Sequence, residues 1–163
     1  MSAGSSSYSN QRSVACDAVL NIASTTPQYT FPFGQEFQIS EVWVVITTAV
    51  TVADSVITVK RNKVPRTTTG DVSIGTFVVP FTDSTIGDVI RADFRTLGDT
   101  LLCPGETISF LSSNASSAGG GWFGVIGYEA RQGNDPYPFV SFDNVTKDRS
   151  GTGKIKYAAV TEV

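Results

Sequence analysis

The sequence predicts an all-β fold, a single antiparallel β-sandwich of jelly-roll type with about eight strands and an extended N-terminal arm. Three observations carry this. Short stretches rich in Val, Ile, Thr and Phe recur with turn signals every 8 to 12 residues or so, as in VSIGTFVV and TISFL. No segment sustains a helical period with caps. Hydrophobic residues make up 40% of the chain and charged ones only 17%, while Ser, Thr and Gly supply much of the remainder, the mixture expected of strands joined by turns.

Residues 1–13, beginning MSAGSSSYSN, carry almost nothing apolar apart from Tyr8 and are expected to form a flexible arm, with 14–163 as one sandwich domain. SVACDAVLNI alternates loosely, and PQYTFPFG (27–34) reads as an extended or turning segment with two prolines and three aromatics. FQISEVWVVITTAV (37–50) is the strongest strand signal, and its apolar centre suggests a strand covered on both faces. A turn at Ala53 and Asp54 leads to SVITVKRN, where Ile57 and Val59 alternate with Val56, Thr58 and Lys60, so that one face is buried and the other solvated. Further strands are expected at 72–79, 89–94, 107–111 after the turn Pro104-Gly105, 122–130, and 154–160 (KIKYAAV).

Gly119, Gly121 and Gly124 fit the G-x-G-x-x-G spacing that lets a backbone approach a dinucleotide pyrophosphate. That spacing works only where a strand turns into a helix, whereas GVIGYEA continues as strand with no parallel crossover around it. The reading is therefore a hairpin loop, Ser112 to Gly121, feeding a strand in which Gly124 and Gly127 make room for bulky neighbours.

Other chemistry is narrowed by what the chain lacks. It has no histidine, which removes Ser-His and Cys-His pairs and the usual transition-metal sites. A net charge of -3 argues against nucleic acid and against an anionic membrane surface. No apolar run is long enough to span a bilayer, and the N-terminus lacks the pattern of a signal peptide, so synthesis in a cytoplasm is expected. Cys16 and Cys103 are read as buried thiols in strand-like surroundings. Four carboxylates, Glu36, Glu41, Glu106 and Glu129, could in principle share a sheet face as in a glycosidase, but spacing does not show that they do, strand carboxylates are usually solvated, and no enzyme is expected. Asp143 to Asp148 lacks the ligand alternation of a calcium loop, and the sequons at Asn114 and Asn144 read as polar loops. Lys60, Arg61, Lys63 and Arg66 form a basic cluster in the turn between two strands, a solvated hairpin end or an electrostatic contact with an acidic partner.

Taken together, the Ser-rich start, VWVVITTAVTVADSVITVKRN, GTFVVPFTDSTIGDVIRADF, LLCPGETISF and the glycine-rich loop before GWFGVIGYEA resemble small jelly-roll virion proteins of tailed bacteriophages. Within that group they are most similar to capsid decoration, or cement, proteins, including those of phages infecting cyanobacteria; the resemblance spans 35–130. It implies a structural protein on the outer surface of a virion, bound to the major capsid protein, assembled as a homotrimer and needing no cofactor. Tyr8, Arg12, Lys60, Arg61, Lys63 and Arg66 are the candidate capsid contacts. The competing reading is a carbohydrate- or receptor-binding sandwich of a head fibre or tail component, using exposed aromatics among Trp122, Tyr128 and Tyr137.

Overall fold

A computed structural model describes residues 11–62, 71–82, 84–129 and 155–162. Among them the chain forms β1 (Gln11–Ala15), β2 (Leu20–Asn21), β3 (Gln28–Tyr29), β4 (Phe37–Thr51), β5 (Ser55–Asn62), β6 (Asp71–Val79), β7 (Val89–Asp93), β8 (Leu101–Leu102), β9 (Thr107–Ser112), β10 (Ala118–Glu129), β11 (Ile155–Ala158) and β12 (Val160–Glu162). These make an all-β sandwich of two sheets. The larger runs β1-β10-β4-β7-β11, with β2 also on β10 and β8 also on β4; the smaller runs β12-β6-β5-β9-β3. Pairing is antiparallel except between β7 and β11.

The twelve strands exceed the eight expected because β2, β3 and β8 are only two residues long and KIKYAAV divides in two. Its first half lies beside β7 and its second beside β6, so the segment changes sheets at Ala159 and covers an edge of each. The N-terminal boundary also moves: residues 11–13, assigned to the arm, pair with β10 as the first part of β1.

β4 and β5 follow the sequence pattern closely. On β4, Val42, Val44 and Ile46 are buried in the sandwich, whereas Trp43 and Val45 on the outer face are only half-buried. The inward-facing set changes parity near Ser40, where the β4–β10 register slips, a bulge that sends Phe37 and Ile39 inward as well. Ser40 Oγ donates to the Ile126 carbonyl at 2.9 Å and satisfies the irregular stretch. On β5, Ile57 and Val59 are fully buried.

The two sheets are joined by aromatic packing. Phe123 of β10 lies 5.2 Å from Phe110 of β9 and 6.1 Å from Phe77 of β6 between ring centroids, tilted arrangements that suit the ring quadrupoles. Phe33 packs on Phe37 at 4.7 Å. Each of these five rings is buried, and full burial of such a side chain stabilises by about 1.5–3 kcal/mol.

The glycines of the G-x-G-x-x-G stretch and Gly127 beyond it belong to this packing. Gly119 to Gly121 lie within β10, so the loop ends at Ser117, short of the expected Gly121. A Cβ on Gly124 would stand 2.3 Å from Trp43 Cζ2, and one on Gly127 would stand 2.1 Å from the Gln38 carbonyl oxygen and 2.7 Å from Phe37 Cε1. The spacing is what a sheet needs where an indole lies across a strand.

Candidate functional site

The described arginines all lie toward the end of the sandwich where β4 begins, and each contacts a carboxylate. Arg61 is the penultimate residue of β5, on the side of the strand that Ile57 and Val59 bury. Its Nη1 donates to the Leu101 carbonyl at 2.9 Å, Nη2 lies 3.5 Å from Asp99 Oδ1, and Nε lies 3.9 Å from Glu106 Oε2 without a hydrogen bond. Leu101 pairs with β4 in the larger sheet, so this side chain ties the two sheets together. Glu106 Oε2 also accepts from the Cys103 backbone N–H at 2.7 Å, closing the turn that presents Cys103.

Three further pairs share this half. Arg12 is bonded to Glu129 across β1 and β10. Arg95 donates through Nε and Nη2 to Asp93, and these hydrogen bonds hold the Asp93 carboxyl below its usual 3.8. Arg91 and Glu41 form a buried pair on the outer face of the larger sheet, Nη2 to Oε2 2.5 Å, close in distance but poorly aligned for a hydrogen bond. A pair so placed contributes little net stability, yet loss of one member strands the other charge.

The opposite end is built differently. Four connections cross between the sheets there: 22–27 after β2, 52–54 after β4, 80–88 after β6 and 113–117 after β9. Hydroxyls and carboxylates fasten them to one another. Ser116 Oγ accepts from the Thr51 N–H at 3.1 Å and donates to the Ala118 carbonyl at 2.6 Å; Ser113 Oγ accepts from the Val56 N–H at 3.1 Å. Asp54 Oδ1 accepts from the Phe81 N–H at 3.0 Å, and Asp88 Oδ2 from the Thr85 N–H at 3.1 Å. Among exposed polar residues such as Asp54, Thr85, Ser113 and Asn114, this frame also presents apolar side chains to solvent: Val52 is 71% exposed, Ile86 67% and Phe81 45%, and the cross-strand pair Val56 and Val78 is exposed nearby on the smaller sheet.

Val52 also has φ +79°, a left-handed backbone that glycine or asparagine adopts easily and a β-branched residue does not. Holding an L side chain there costs on the order of 1–2 kcal/mol. Packing does not explain the residue, because most of its side chain is in solvent.

On the outer face of the larger sheet two indoles are fixed by their N–H groups. Trp43 Nε1 donates to Ser13 Oγ at 2.9 Å and Trp122 Nε1 to the Cys16 carbonyl at 3.0 Å. Trp122 remains half-exposed.

These positions revise several expectations. Lys60 and Arg61 are residues of β5, outside the turn to which they were assigned, and alternation sends them to opposite sides of the strand; Arg61 is an internal clamp. Arg12 is already paired. Tyr8, Lys63, Arg66 and Tyr137 lie outside the described residues. The carboxylates do not gather: Glu41, Glu106 and Glu129 each contact a different arginine. Cys16 is buried, and desolvation, aided by Asp17, pushes its thiol up to about 12, but Cys103 is exposed on the turn 103–105 because the Pro-Gly reversal carries it out of the strand. Among the described residues no group of three or more Cys, Asp or Glu is placed to hold a metal ion.

Comparison with protein-family models, curated proteins and solved structures returned no match.

The apolar end escaped sequence reasoning because its members are scattered over residues 52, 56, 78, 81 and 86 and meet only when the strands pair. Arg61 could have been found: it continues the period-two set Ile57, Val59, Arg61.

Proposed function

We propose that this chain is a structural virion protein that binds the outer surface of a phage capsid and stabilises it. The observation that carries the reading is the order of the strands. Leaving aside the two-residue β2 and β8 and the C-terminal pair, one sheet reads β1-β10-β4-β7 and the other β3-β9-β5-β6. That order supports the jelly-roll reading, an architecture used in viral capsid and lectin domains. A fold hosts many functions, so the virion role rests on the sequence resemblance set beside this order, and the homotrimer that it implies belongs to the same proposal.

The test is co-sedimentation with capsids of the phage whose genome encodes the chain, stripped of accessory proteins. Saturable binding and a higher temperature of capsid disruption are expected. A chain that stays in the supernatant and leaves that temperature unchanged would refute the reading.

The half-exposed Trp122, its N–H already satisfied, favours a second reading in which the larger sheet stacks a sugar ring on an indole face. Loss of glycan-array binding in Trp122→Ala would support it, and an array with no signal for the parent chain would remove it.

A further inference from the structure

We infer that the border of β5 and β6 at the end where β4 finishes, with Val52, Val56, Val78 and Phe81 around Asp54, docks a protein surface that is itself apolar and carries lysine or arginine. Resting on the capsid reading, this makes the patch the part of the chain that meets the capsid. Two different observations meet there. Four of the eight exposed large hydrophobic side chains among the described residues belong to the patch, so exposure of apolar area is concentrated on it. Strand pairing brings them together: Val56 stands opposite Val78, Ser55 opposite Val79, and one step further Asp54 Oδ1 accepts from the Phe81 N–H at 3.0 Å. Val52 lies in the same turn. The second observation is the charge of Asp54. Glu41, Asp93, Asp99, Glu106 and Glu129 each contact an arginine, whereas Asp54 is exposed and its hydrogen bond comes from a neutral amide. No lysine or arginine occurs in residues 46–59, 74–90 or 109–130, which supply this end of the strands.

The uncompensated carboxylate selects the occupant. A second copy placed by a two-fold axis would bring Asp54 toward its own equivalent, like charge against like. An anionic lipid surface meets the same repulsion, and an uncharged sugar leaves the carboxylate without a counter-charge. A protein surface that sets apolar side chains beside a lysine or arginine covers the valines and Phe81 and pairs Asp54 in one contact. The basic side chains expected to meet a capsid are committed within the chain, Arg12 to Glu129 and Arg61 to the Leu101 carbonyl, so the positive member of the contact belongs to the partner. The patch is already held in place by the β5–β6 ladder and by Ser113 Oγ on the Val56 N–H, so little ordering opposes docking.

The test has two arms, one of them free of the capsid. Decyltrimethylammonium and decyl sulfate, each below its micelle concentration, are titrated into the isotope-labelled chain and followed by amide chemical shifts. The cationic probe is expected to shift residues 52–56 and 78–81 at lower concentration than the anionic one, and Asp54→Asn, which keeps an oxygen acceptor for the Phe81 N–H, should abolish that preference. In the second arm the stripped capsids are used. Asp54→Asn should weaken co-sedimentation about fivefold and flatten its dependence on salt. Val52→Asn suits the left-handed turn, so it should melt no lower than the parent yet bind capsids about tenfold more weakly. Phe31→Ser, at the opposite end, should bind as the parent does. Equal response to the two probes, shifts centred elsewhere, or capsid binding that survives both Val52→Asn and Asp54→Asn would overturn the inference. So would a lower mass of either variant in sedimentation velocity, which would assign the patch to contacts between copies. A parent chain that takes the cationic probe at the patch but binds no capsid supports the inference about the partner's chemistry and refutes the capsid reading alone.

Discussion

The two ends of the sandwich solve the same structural problem with different chemistry. Where β4 begins, guanidinium and carboxylate groups make the connections: Arg61 reaches across to Leu101, Asp99 and Glu106, and Arg12, Arg91 and Arg95 bind carboxylates nearby. Where β4 finishes, Ser113, Ser116, Asp54 and Asp88 fasten the loops through the backbone and leave the larger apolar side chains outside. The first end uses its side chains to hold the sheets together. The second uses small polar groups for that purpose and leaves Val52, Phe81 and Ile86 exposed.

The sharpest way to break the contrast is Arg61→Ala. Removing a largely buried guanidinium leaves the Leu101 carbonyl and the Glu106 carboxylate without their partner, and a loss of about 2–4 kcal/mol is expected in urea unfolding. A loss within 0.5 kcal/mol, the range of ordinary surface substitutions, would mean that the clamp is ornamental. At the other end, Asp54→Ala removes one acceptor from the Phe81 N–H in a solvent-accessible place, so the same measurement should fall by about 1 kcal/mol. Val52→Gly should move in the opposite direction. Relief of 1–2 kcal/mol of left-handed strain, set against the greater chain entropy of glycine, leaves a gain of about 0.5–1 kcal/mol. A destabilised glycine variant would show that the valine is held for folding.

The cysteines sharpen the comparison without altering stability near neutral pH. Cys103, on the turn at the charged end, should react with a maleimide in the native protein, while Cys16 should react only after unfolding. The Cys16 thiol is raised from its ordinary 9.0 to about 12 in the fold. The unfolded chain therefore ionises first, so the stability associated with this group is intact below pH 9 and is lost as pH rises from about 9 to about 12. Cys16→Ala should flatten the alkaline side of a melting-temperature profile; an unchanged profile would assign the alkaline loss to other groups.

How much of this was legible in the sequence depended on the length and patterning of each element. β4 and β5 were placed almost to the residue, since β-branched residues alternating over many positions leave few registers open. β2, β3 and β8 were not anticipated, because two residues carry no period and are held by tertiary pairing alone. The division of KIKYAAV was also hidden: its side-chain pattern reads as one strand, and only the positions of β6 and β7 make it serve two sheets. Nothing in TAVTVADSV distinguishes Val52 as left-handed, since the tight crossing from β4 to β5 imposes that angle from outside the local sequence.

The C-terminal segment has a consequence for biosynthesis. Residues 155–162 leave the ribosome after every other described strand, and until then β6 and β7 each carry a row of unpaired backbone donors and acceptors. A nascent chain halted before residue 155 can assemble most of both sheets and still offer two adhesive borders to its polysome neighbours. The interval between synthesis of β10 and arrival of β11 and β12 is thus the period of greatest risk of aggregation, and truncated translation products should be the species that chaperones retain.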